Sequence, residues 1–144
     1  MEPSFLFRGF AAGLVATLAM LPAEISMLRR FGPRGVYEWH EIQASLAHRG
    51  WGSDAEFILL LHGLAGGVAG LLFAIAVSLV RLDVDLVLQG LGLGVLMWLI
   101  TLVIHGPITS VRPWRNDMGR GPVAASLLGH LLFSAALGFL MIWP

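Results

Sequence analysis

The chain has 144 residues, of which 57% are hydrophobic and only 12% charged, with a mean hydropathy of +0.81. So little polar surface excludes an ordinary small soluble domain and points to an integral membrane protein. Nine acidic residues balance nine basic ones, which excludes electrostatic steering toward nucleic acid. The lack of Cys excludes disulfides, thiolate metal sites and cysteine nucleophiles in this sequence.

The first apolar segment runs from about Phe5 to Leu28. At about 1.5 Å per residue it is long enough to cross a hydrocarbon core of roughly 30 Å. It follows an N-terminus without a basic n-region or a small-residue cleavage site, so it is expected to be a retained helix. Pro22 should kink its last turns, and Glu24 lies just beyond, still within the apolar run. A polar connection follows, opened by the turn-forming stretch RRFGPRG.

Within that connection, residues 36–49 place Val36, Trp39, Ile42 and Leu46 at helical spacing, with Glu38, Glu41, Ser45 and His48 on the opposite side. The pattern predicts a short amphipathic helix in the membrane interface, with Trp39 and Trp51 at headgroup depth. His40, Glu41 and His48 could bind a surface metal there, but a solvated polar face explains them much better.

The second segment spans about 55–80, with Ser53 or Asp54 as its cap. After the tight connection RLDVD comes a third, about 86–105, which ends at His105. A polar loop with Trp114, Arg112, Arg115 and Arg120 leads to Pro122, which sits where helices tolerate proline. Asn116 and Asp117 in this loop could meet lipid headgroups. The fourth segment, about 122–143, completes an all-α domain of four transmembrane helices plus one interfacial helix. Arg29, Arg30, Arg34, Arg49, Arg112, Arg115 and Arg120 lie in the two long loops, whereas Arg8 and Arg81 lie on the other side. The positive-inside rule then places both long loops in the cytoplasm and both termini outside, in a cell's inner (plasma) membrane.

The second and fourth segments echo each other. Leu59, Leu60, His62, Leu64, Gly70 and Leu72 recur at one constant offset as Leu127, Leu128, His130, Leu132, Gly138 and Leu140. Segments one and three match at one offset through Gly9/Gly90, Gly13/Gly94 and Leu18/Leu99. The expected unit is a helical hairpin, duplicated in parallel orientation. Each span also carries a stripe of small residues ending in one ionisable group: Glu24, His62, His105 or His130. Small residues line membrane helix interfaces because backbones must approach closely where lipid offers no hydrophobic drive. The four stripes are therefore expected to face one another, with Glu24 and His105 at one repeat position.

Ionisable groups inside a span are costly unless paired, which makes these four the candidate site. Imidazole and carboxylate suit zinc, copper, iron or manganese, so a metal site of Glu24, His62, His105 and His130 is one expectation. If catalytic, it would activate water or oxygen toward a membrane-soluble substrate. A second expectation is haem b held by His62 and His130, with Arg112, Arg115 or Arg120 near the propionates. A third is an accessory subunit whose histidines only make hydrogen bonds. A chain this small is expected to work as a homo-oligomer or within a larger membrane complex. The glycines form no nucleotide fingerprint, since no strand precedes them and no P-loop Lys exists.

G-x3-G with Pro at the end of helix one, then H-x3-G-x3-G in helix two, resembles small prokaryotic four-span proteins of unknown function, the YagU-like group among them. The resemblance covers the spans and implies a compact bundle in a prokaryotic inner membrane. It implies no activity.

Overall fold

The computed structural model describes residues 2–48, 54–80, 82–115 and 117–143. The expected roles of Arg49, Trp51, Ser53, Arg81 and Asn116 lie outside the described residues. Among the described residues six α-helices follow in order: α1 Pro3–Ala16, α2 Leu21–Phe31, α3 Tyr37–His48, α4 Ala55–Val80, α5 Leu86–Thr109 and α6 Gly121–Ile142.

The first apolar segment is broken between α1 and α2. Pro22 has no N–H to offer the carbonyl of Leu18, and its ring crowds that carbonyl. The chain answers with a 3-10 turn at Thr17–Ala19, and the run Pro3–Ala19 that ends in this turn is bent 47° from the run Leu21–His48. A second 3-10 turn, Gly32–Gly35, redirects the chain into α3, with Gly32 at φ 63° in the region that favours glycine. Helix α5 starts under the Asp85 side chain, which accepts from the amides of Val87 at 2.8 Å and Leu88 at 3.4 Å. It runs one turn past His105, through Pro107, and stops at Ser110 in the left-handed conformation.

Among the described residues, helices α4, α5 and α6 are each long and apolar enough to cross a bilayer, and the bent pair Pro3–Ala19 and Leu21–His48 makes a fourth if it counts as one span. Leu72, Leu79, Leu88 and Val103 point outward and exposed. Leucine and valine around the outside of a helical bundle fit lipid rather than water. The chain is thus a multi-pass membrane protein.

Two helix pairs form the frame: α1 packs on α4, and α5 on α6, with α1 and α2 also against α6. Glycines bring the paired backbones together. A methyl added at Gly9 would lie 2.7 Å from the Gly70 carbonyl, and one at Gly13 would strike the carbonyl of Gly66. Across the other pair, a methyl at Gly94 would lie 2.8 Å from the His130 carbonyl and one at Gly138 2.6 Å from that of Leu86. Between the pairs, Ala16, Met20, Phe73, Phe133, Leu137 and Met141 form the central core. Helix α3 lies across the end of the bundle and packs on both α4 and α5. Val36, Trp39, Leu46 and Ile58 hold it there, with Met27 and Leu28 of α2. Among the described residues, α4 and α5 share no extensive contact of their own.

Candidate functional site

The gap between α4 and α5 leads into a cavity of about 470 Å³, within the usual range for small-molecule sites. Its back wall is Thr17, Met20, Gly66 and Phe133, and its sides are Leu61 and Ala65 of α4 and Met97, Ile100 and Thr101 of α5. Ala65 and Ile100 are exposed on the outer surface, so the cavity reaches the outside of the bundle between α4 and α5. The polar head of the cavity is set by Glu38, Glu41 and Ser45 of α3, together with His62 and His130.

Three acid–imidazole pairs gather at this end of the bundle. Glu24 Oε1 lies 3.1 Å from His62 Nε2, both side chains being 6% exposed. The pair is at ion-pair distance but out of line for a hydrogen bond, and neither Glu24 oxygen nor His62 Nε2 has a hydrogen-bond partner among the described residues. His105 is wholly buried, with Nδ1 3.0 Å from Glu41 Oε1 and its ring centre 4.2 Å from that of Tyr37, the two rings tilted by 38°. His130 donates from Nδ1 to the Ser126 carbonyl one turn back, at 2.8 Å. Ser126 Oγ donates to Glu38 Oε1 at 3.0 Å, and that oxygen lies 3.5 Å from His130 Nδ1.

The sequence placed Glu38 and Glu41 on the watery side of an interfacial helix. The structure turns both inward. Helix α3 caps the bundle, so the face opposite its apolar anchors meets the histidines of the spans. A signal for this was present: the interior of the spans contains three histidines and one carboxylate, Glu24, which leaves two imidazoles in need of partners. His40, next to Glu41, lies 5.3 Å ring to ring from His105. Its pKa is held down by burial, then by His105 and Arg34.

Of the four residues expected to converge, Glu24 meets His62, and His130 opens on the same cavity as His62. His105 lies apart, behind α3. The glycine contacts give the reason. Gly90 would strike the Ser134 carbonyl with Gly138 nearby, as Gly13 would strike that of Gly66 with Gly70 nearby. Gly90 thus takes the place of Gly13 and not of Gly9, a slip of one turn from the sequence alignment. Thr101 then falls at the level of Glu24, and His105 a turn beyond. Imidazole and carboxylate are suitable metal donors, but no three His, Asp or Glu among the described residues form a group that could hold an ion. They stand as pairs. His62 and His130, the expected haem ligands, both line the cavity.

Burial, and then the Glu38 carboxylate, push the pKa of Glu41 up to about 8, with His130 opposing. The usual value for glutamate is 4.5, so at neutral pH the folded chain keeps a proton there that the unfolded chain has lost. Folded stability therefore falls as pH rises from 4.5 to about 8 and levels off above that. Glu41→Gln is expected to flatten this slope by close to one proton. Thermal melts in detergent across that window check it, and equal slopes in both proteins would refute the assignment.

Compared with known protein families, curated proteins and solved structures, the chain gives no significant match to any of them.

Proposed function

We propose that this membrane protein takes up a single-chain amphiphile from the bilayer through the α4–α5 mouth and exchanges a proton with its polar head. The observation that carries this reading is the cavity itself. Its walls are apolar, its mouth faces lipid, and its far end holds Glu38, Glu41, His62 and His130. The Glu38 carboxylate at the head favours a basic headgroup, and imidazole suits proton exchange near neutral pH.

The finer architecture belongs to the same reading. Four spans cross the inner membrane with both long loops, and so α3, on the cytoplasmic side, as the arginine distribution supports. The two glycine-lined hairpins derive from one duplicated unit whose second copy has slipped by a turn. The glycine spacing keeps the chain beside the YagU-like four-span proteins. The broad outward leucine surface suits a homo-oligomer or a place in a larger membrane complex.

The test uses a photoactivatable long-chain amine in nanodiscs containing the full chain. Crosslinks should concentrate on peptides containing Thr17, Met97 and Phe133. Ala65→Trp, at an exposed position on the mouth, should remove most of that labelling without unfolding the protein. Labelling spread evenly over the lipid-facing leucines, or unchanged by the Trp, would overturn the proposal.

A further inference from the structure

Behind the cavity lies a second, much smaller void of about 10 Å³, between α2, α3 and α6. That is about the least space that admits one water molecule, which also needs two or more polar partners. The void is lined by Glu24, Glu38 and Ser126, and lies against Gly35 of the turn into α3. Glu24 is only 5% exposed, and neither of its oxygens has a hydrogen-bond partner among the described residues. A buried carboxylate left in that state is costly, and a water in the void would satisfy it. Glu38 lines both the void and the large cavity.

We propose that one water held in this void links Glu24 to Glu38 and carries a proton between the Glu24–His62 pair and Glu38 at the polar head of the cavity. The path runs from His62 through Glu24 and the water to Glu38, which opens on the cavity; the Ser126–His130 pair positions Glu38 and takes no proton, since His130 Nδ1 already donates to the Ser126 carbonyl. Each transfer is balanced. The water takes a proton from one carboxylic acid as it gives another to the opposite carboxylate, so one O–H bond breaks and one forms on each side. No other reactant is needed. Glu41, the other carboxylate on α3, serves His105 and stands outside the path. Only the destination of the path rests on the amphiphile reading; its parts stand on the void and on Glu24.

The test is nitrogen-15 histidine NMR on the full chain in nanodiscs, reading exchange of the His62 ring proton with bulk water. The chain has five histidines, so the signals can be assigned by substitution. Glu24→Gln removes the first carrier. Ala125→Leu fills the void from α6 and leaves both carboxylates in place. Each variant should slow His62 exchange by at least about tenfold, with exchange at His105 unchanged. Should the Leu variant fail to fold, the near-isosteric Gln variant decides alone. Exchange at His62 as fast in Glu24→Gln as in the parent would overturn the path. So would near-stoichiometric metal in the purified parent that is lost in Glu24→Gln, because an ion would then occupy the void. Neither outcome depends on amine crosslinking, so this proposal and the amphiphile reading can fail separately.

Discussion

Alanine at Gly13 or Gly70 is expected to destabilise the bundle by about 3 kcal/mol or more, the upper end of what overpacking costs. The added methyl at Gly13 meets the Gly66 carbonyl, and at Gly70 it meets that of Gly9. Both obstacles are backbone, so no rotamer change relieves them, and α1 must move off α4. The control is Gly63, one turn from Gly67 on the same helix, where nothing lies within 4 Å of an added methyl. Alanine there should stabilise by up to about 1 kcal/mol through helix propensity. Unfolding of the three variants by heat or by SDS in mixed micelles gives the comparison. Equal losses at Gly13 and Gly63 would show that the glycines matter for flexibility and not for close approach.

The second large effect is expected at Tyr37, where α3 is fixed to the rest of the protein. Its side chain is fully buried, its hydroxyl donates to the Pro113 carbonyl at 3.2 Å, and its ring covers His105. Tyr37→Ala leaves an aromatic-sized hole and is expected to cost about 3–5 kcal/mol. Tyr37→Phe loses one hydrogen bond and should cost about 1 kcal/mol. Because the cost falls on one element, Tyr37→Ala should also free α3 from the bundle, speeding trypsin cleavage after Arg34 and releasing the polar head of the cavity. Cleavage rates and melting curves that do not separate Ala from Phe would place the anchor of α3 elsewhere.

The helices and the histidines were legible in the sequence for simple reasons. Long apolar runs bounded by Asp85, Pro122 and the arginine-rich loops leave little choice of span. An ionisable residue inside such a run also draws attention wherever it stands. Glu38 and Glu41 were hidden because helical periodicity separates apolar from polar faces and then assumes that polar means water. At the end of a membrane bundle that assumption fails, since the polar face of α3 covers buried imidazoles. The register was hidden for a different reason. A stripe with a small residue every fourth position looks almost the same after a slip of one turn, so Gly90 matches Gly9 or Gly13 nearly as well. Only backbone contact distinguishes them, and it moves His105 away from Glu24.

The hydrogen bond from His130 to the carbonyl of Ser126 also bears on how the chain is made. Glu38 and Ser126 are 88 residues apart, so α3 has left the ribosome well before α6 exists. A carboxylate on a loop can wait in water at no cost. An imidazole entering the bilayer cannot, and His130 carries a partner within its own helix, one turn back. Helix α6 can therefore insert with its ring proton already satisfied, and Glu38 joins only when α6 has arrived. The polar head of the cavity is in this sense assembled after the helices that wall it, and not before α6 has been made.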